Sequence, residues 1–215
     1  MKSKSLAIVF GGLLGFSVAS QAAGLFVGGG LGVIAYPNWT DKLTSGALAA
    51  GATFAATDQE ASGVGAGIRV GQWVSDNLGW EVGYSDLGSV TGHTGATFAG
   101  TAEMGTWKFS ATAAHLAMLG GVKFNRSSLF GKIGVHSSST KLEGDYVVGN
   151  GTYSRSASGT GLLIGGGYIF PFTENLYGRA AIDIFNGVKF TDPLVFANST
   201  KETLTKISFG LDYRF

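Results

Sequence analysis

The residues able to do chemistry are charges set into an apolar alternation. Trp80, Val82 and Tyr84 alternate with Glu81 and Gly83, and Gly178, Ala180, Ile182 and Ile184 alternate with Arg179 and Asp183. At the end of the chain, Ile207, Phe209, Leu211, Tyr213 and Phe215 take every second position, with Lys206 and Asp212 in the opposite phase. Arg69, Lys123 and Lys132 keep the same phase in their own segments. Both signs fall on one face, so the chemistry on offer is a network of ion pairs. Spacing leaves the individual pairings open.

Other constellations offer less. Gly30-Leu31-Gly32-Val33-Ile34-Ala35 has the letters of a dinucleotide fingerprint. That fingerprint needs a strand before it and a helix after it, whereas here it lies inside a strand-like segment followed by Pro37. His93, His115 and His136 come from separate segments, and none stands at ligand spacing from another histidine or a carboxylate. Neither a cofactor nor a metal is expected.

The elements that carry the charges follow from composition and spacing. The chain has 215 residues and no cysteine, is 45% hydrophobic and only 13% charged. Soluble domains average about 25% charged. Lys2 and Lys4, an apolar run over 6–18 and the small residues of Ala19-Ser20-Gln21-Ala22-Ala23 read as a secretory signal peptide, residues 1–22, cleaved after Ala22. Without Lys2 and Lys4, 13 Lys+Arg face 14 Asp+Glu, a net charge of −1. That balance argues against nucleic acid as a partner. No later stretch approaches ~18 consecutive apolar residues, so no membrane helix is expected. A closed membrane β-barrel reconciles high apolarity with the lack of a spanning helix, because it spreads apolar residues over alternate positions.

Eight segments have period-two or β-rich character: 24–36, 62–74, 77–87, 110–124, 129–136, 158–170, 176–185 and 204–215. Each is close to the ~9–11 residues of a tilted spanning strand. The gaps between them alternate long and short: 37–61, 88–109, 137–157 and 186–203 against 75–76, 125–128 and 171–175. This predicts an all-β domain over 23–215, an eight-stranded antiparallel up-and-down transmembrane β-barrel. Short turns and both termini are expected in the periplasm, with four long external loops. Pro37, Pro171 and Pro193 all fall in gaps, as ladders paired on both sides require.

The charged face is also the glycine-rich one. A water-facing surface has no reason to be built of glycine, but a narrow interior does, because glycine leaves room for long arms such as Arg69, Lys132 and Arg179. The predicted lumen therefore holds Arg69, Glu81, Lys123, Lys132, Arg179, Asp183, Lys206 and Asp212, and the apolar face meets lipid. Phe124, Phe130, Phe170, Tyr177 and Phe215 are expected at the periplasmic rim, and Tyr36, Tyr84, Trp107 and Phe185 at the outer rim. Trp73 is in phase with the lumen but lies at a strand end, so its direction stays open.

Asn77-Leu-Gly-Trp-Glu-Val-Gly-Tyr-Ser-Asp-Leu-Gly88, Gly165-Gly-Gly-Tyr-Ile-Phe170 and Ser208-Phe-Gly-Leu-Asp-Tyr-Arg-Phe215 resemble the OmpA-type outer-membrane β-barrel family of Gram-negative bacteria. The resemblance implies an eight-stranded barrel in the outer membrane with a charge-filled interior. Glu81 and Arg179 occupy places where that family carries lumen charges. It stops at Phe215, so the cell-wall anchoring supplied by the domain that follows the barrel in OmpA is not carried over. Phe209, Leu211, Tyr213 and Phe215 resemble the C-terminal signal that such barrels present to the barrel assembly machinery.

Some eight-stranded outer-membrane barrels are lipid A deacylases with a His-x-Ser motif on the lipid-facing surface. His136-Ser137-Ser138 fits the letters, but the phase set by Ile133 and Val135 points His136 inward. No enzyme is expected. The function expected is that of an integral outer-membrane scaffold displaying loops for adhesion or surface interaction. The alternative is a narrow pore or gated channel for ions or small solutes. Its partners would be outer-membrane lipid, lipopolysaccharide, the assembly machinery, and host or surface ligands met through the loops.

Overall fold

The computed structural model describes residues 24–49, 51–60, 62–145, 151–191 and 199–215. The signal peptide expected over 1–22 and Pro193 lie outside the described residues. The elements are β1 (Leu25–Ala35), α1 (Thr40–Ala49), β2 (Phe54–Gln59), β3 (Ser62–Trp73), β4 (Leu78–Phe98), β5 (Thr101–Phe124), β6 (Ser127–Asp145), β7 (Thr152–Pro171), β8 (Leu176–Thr191) and β9 (Ser199–Arg214). β1 pairs with both β3 and β9, and β4 pairs with β5, so eight antiparallel strands close a ring. β2 adds a short strand to the far half of β4, from Phe54 opposite Thr97 to Gln59 opposite Gly92.

Alternation sorts the two faces. On β9, Ile207, Phe209, Leu211 and Tyr213 are exposed outward, while Lys206, Ser208 and Asp212 are buried. The outward apolar rows stop at a common level. On β6 they run Leu129, Ile133, Val135 and then give way to Ser137, Ser139 and Lys141. On β7 they run Tyr168, Ile164, Leu162 and then give way to Thr160, Ser158 and Ser156. Val135 and Leu162 are register partners, so the edge of the apolar belt is continuous between these strands.

The strands do not stop where the belt stops. β5 has 24 residues, about twice the ~9–11 a tilted crossing needs. The gaps read as loops therefore hold much regular structure. The second gap is a continuation of the β4–β5 hairpin that turns at Ala99-Gly100. Parts of the third and fourth extend β6, β7, β8 and β9. The first gap holds α1 and β2. Pro171, expected in a gap, is the last residue of β7, an end position that needs no further ladder donor.

Two bulges change the phase above the belt. The register shifts between Asp86 and Ser89 on β4 and between Asn186 and Val188 on β8. Each shift contains a glycine with positive φ, Gly88 at 72° and Gly187 at 84°. Inward positions on β4 move from Glu81, Gly83, Ser85 and Leu87 to Val90, Gly92, Thr94 and Ala96. The Tyr36 hydroxyl donates to the carbonyls of Leu87 and Gly88, at 3.0 and 2.8 Å, and clasps the first bulge from inside.

α1 packs against β2 and sends Leu43 into the apolar cluster at the far mouth. The Asn38 side chain accepts the Thr40 N–H at 2.9 Å and so caps the helix start. Gly51, at φ 99°, ends it, with Gly51 N bonding Leu48 O and Ala52 N bonding Ala47 O. Trp39, just before the helix, is 1% exposed and stacks on Phe109, with ring centroids 5.2 Å apart. Gln59 on β2 locks this entry by accepting the Trp39 N–H and donating to Pro37 O, both at 2.8 Å.

Candidate functional site

Inside the ring, the charged residues form one layer between two apolar ones. Toward the tight turns lie Phe26, Leu119, Phe130, Ile169 and Ala181, with Trp73 and Tyr177 packed against them. Trp73 thus faces inward. Toward the far mouth lie Ile34, Leu87, Leu163, Phe185, Phe190, Leu204 and the residues around Trp39. Arg69 comes from β3, Glu81 from β4, Lys132 from β6, Arg179 and Asp183 from β8, and Lys206 and Asp212 from β9.

Cross-strand glycines make the layer possible. Gly28 stands opposite Asp212, and a Cβ there would collide with the Asp212 carboxylate. Gly165 lies opposite both Asp183 and Lys132. A Cβ on it would sit 2.5 Å from Asp183 Oδ1 and 3.0 Å from Lys132 Cε. Gly83 lies opposite both Arg69 and His115, with His115 Cε1 2.5 Å from where its Cβ would be. Asp212, Asp183, Lys132, Arg69 and His115 are thus housed over bare stretches of neighbouring backbone, which a narrow eight-stranded interior requires.

Glu81 is the hub. It is fully buried and faces Arg179 Nη1 at 2.6 Å, Lys132 Nζ at 3.0 Å and His115 Nε2 at 3.2 Å. Lys132 Nζ also reaches Asp183 Oδ1 at 2.9 Å. Arg179 continues to Asp212 Oδ2 at 3.7 Å, and its guanidinium lies 4.2 Å from the centre of the Phe130 ring. Arg69 holds the other Asp212 oxygen, with Nη2 at 2.6 Å and Nε at 2.8 Å. Lys206 Nζ donates to Ser85 Oγ at 3.3 Å. The network runs from Arg69 through Asp212, Arg179, Glu81 and Lys132 to Asp183 and spans most of the ring.

Lys123 is not brought into this layer. It pairs with Asp76 in the neighbouring turn, and both side chains are exposed. Its phase is inward, but it stands next to the last residue of β5, so its long arm leaves the barrel end for water. Four of the rim aromatics are also inside: Tyr36, Phe130, Trp107 and Phe185 are all buried. Phe130 and Phe185 stand two residues from Lys132 and Asp183, so alternation fixes them inward regardless of their height on the barrel. Tyr84, Phe124 and Phe215 are exposed on the outer face.

His115, whose residue type alone suggests a metal ligand, joins Glu81, and its place two residues from Ala113 and Ala117 on an alternating strand is the signal for its inward direction. It is also the register partner of His136, so two histidines of separate segments face the lumen side by side. Among the described residues, no three metal-ligating side chains come together. His136 Nε2 meets Asn186 O at 3.0 Å and its ring packs on Phe185, while Ser138 is buried beside it. Both therefore face the interior, away from lipid. Gly30–Ala35 lies within β1, with no helix directly after it.

The sequence of the "Outer membrane protein beta-barrel domain" family matches residues 8–215. No curated protein matches the chain. Among solved structures, the chain is similar to Neisserial surface protein A (NspA), at TM-score 0.51 and 14% identity, over 90% of this chain and 98% of that one. It is similar to the outer membrane protein OprG from Pseudomonas aeruginosa, at TM-score 0.51 and 12% identity, over 90% and 97% of the two chains. These likenesses are likenesses of fold. With the apolar belt, the closed ring and a family match over nearly its whole length, the chain belongs to the outer membrane protein beta-barrel domain family and is an integral β-barrel of the Gram-negative outer membrane.

Proposed function

We propose that this protein is a closed scaffold that carries a tall extracellular wall for contact with host or surface ligands, and that it is not a pore. The observation that supports this reading is the stacking inside the barrel. Arg179, Glu81, Lys132 and Asp183 are locked to one another between two dry clusters, and the far mouth is filled by Trp39, Phe109 and Phe190. Ions crossing this path would have to separate buried pairs and enter two apolar layers, and both steps are unfavourable. Planar-bilayer recording of the refolded protein tests the reading. The expected result is a silent or barely conducting membrane. Steady, sizeable openings would favour the narrow-pore alternative.

In this reading the tight turns and both termini lie in the periplasm, because the apolar belt occupies the turn end and the polar wall rises from the other end. The belt meets lipid, including lipopolysaccharide in the outer leaflet. Phe209, Leu211, Tyr213 and Phe215 would form the signal presented to the barrel assembly machinery. Phe215 is 60% exposed, and its N–H donates to Leu25 O at 3.0 Å. Its deletion removes little packing, so the refolded barrel should keep nearly all its stability while the amount reaching the outer membrane in cells falls sharply. Normal membrane levels of the truncated chain would count against the signal.

A further inference from the structure

Lys206 stands opposite Asp183 on β8, yet among the described residues it is the one cation of the layer with no carboxylate in ion-pair contact. It is 4% exposed, and among the described residues its ammonium donates to Ser85 Oγ, at 3.3 Å. The carboxylates of the layer are engaged elsewhere: Glu81 with Arg179 and Lys132, Asp183 with Lys132, and Asp212 with Arg69 and Arg179. Four cations (Arg69, Lys132, Arg179 and Lys206) thus face three carboxylates (Glu81, Asp183 and Asp212), leaving one positive charge of the layer without a contacting carboxylate. The next carboxylate along β4, Asp86, is exposed and accepts the Gly88 N–H. A buried, unpaired ammonium is strongly unfavourable.

Beside Lys206 lies a polar cavity of about 20 Å³, lined by Arg69, Lys132, Lys206, Ser85, Glu81 and Asp183, among others. That is room for a guest of water or monatomic-ion size. Three of the four cations of the layer line it, with two of the three carboxylates, Glu81 and Asp183, which are already paired with Arg179 and Lys132. Glycines keep it open: a Cβ on Gly67 would stand 3.1 Å from both Lys206 Nζ and Ser85 Oγ, and one on Gly32 would stand 3.1 Å from Lys206 Cε.

We propose that this cavity is a binding site for one monovalent anion of the halide class, held by Lys206 with Ser85 as a second donor and neutralising the excess charge of the layer. The ion is structural. It completes the electrostatics of the lumen in the way the carboxylates do for Arg69, Lys132 and Arg179.

The test uses the mature protein refolded in detergent with bromide as the only halide, so that the ion is present when the barrel closes. Anomalous diffraction should give a peak within hydrogen-bonding reach of Lys206 Nζ. Ordinary water density without anomalous signal would overturn the proposal. In parallel, the thermal unfolding midpoint should rise with bromide or chloride, against gluconate at equal ionic strength, as expected for a ligand bound only by the folded state. The rise should vanish in Lys206→Met and shrink in Gly67→Ala. A wild-type midpoint indifferent to halide, or an undiminished rise in Lys206→Met, would also overturn it.

Discussion

On β6, Lys132 points into the barrel and Ile133 points out, whereas nine residues further along Lys141 points out and Leu142 points in. The same inversion occurs on β9, where Lys206 is inside and Ile207 outside, but Leu204 is inside and Thr203 outside. The turn half of the molecule is therefore built as a membrane barrel and the far half as a water-soluble one, on the same strands. The backbone ladder is indifferent to the change. What differs is the medium outside: lipid requires an apolar exterior and leaves charge to the lumen, while water permits the usual apolar core.

The largest way to break this contrast is to remove the hub of the charged layer. Glu81→Leu leaves Arg179 and Lys132 buried with one partner fewer each. Loss of one member of a buried pair typically costs about 3–5 kcal/mol, so urea unfolding of the refolded barrel should shift by that order. A variant as stable as wild type would mean that the layer is hydrated and weakly coupled.

A smaller effect comes from probing the two exteriors with one substitution. Ile133→Arg places a charge on the lipid-facing belt, where about 2–4 kcal/mol is expected near the bilayer midplane. Ser139→Arg, on the same strand and face but beyond the belt, should fall within about 0.5 kcal/mol, as ordinary surface changes do. Equal costs at the two sites would move the belt edge away from Val135 and Ser137.

The same inversion explains what the sequence disclosed. In the turn half, apolar and charged residues alternate with full contrast, so strand direction, glycine placement and the phase of all seven charges of the layer, Lys206 included, are legible from neighbours. In the far half the contrast disappears. Ser137-Ser138-Ser139-Thr140 is strand, with Ser138 and Thr140 inside, yet nothing in residue type separates the faces. Such stretches read as loops. The bulges at Gly88 and Gly187 then shift the phase by one, which breaks any alternation carried across them. Lys123 failed for the opposite reason: its phase was right, but a strand end lets a flexible arm ignore phase.

The smallest test concerns the edge of the wall, where β2 lies on β4. Asp58 Oδ1 accepts the His93 backbone N–H at 2.8 Å and faces His93 Nδ1 at 3.1 Å. Glu60 accepts the Thr91 N–H at 3.0 Å. These hydrogen bonds favour the ionised forms. The His93 backbone N–H first, and then its ring, lower the Asp58 pKa, while the Thr91 side chain and backbone lower that of Glu60. A carboxyl whose pKa is lower in the folded state contributes stability above its ordinary pKa and loses it as pH falls through the lowered value. Both groups are exposed, so the effect is local. Acidification through and below the carboxylate range should lower the protection of the Thr91 and His93 amides, measured against the intrinsic exchange rate at each pH, while amides of the charged layer keep theirs. If ring and wall amides opened together over that range, the wall would have no independence from the barrel. The two halves would then be one cooperative unit.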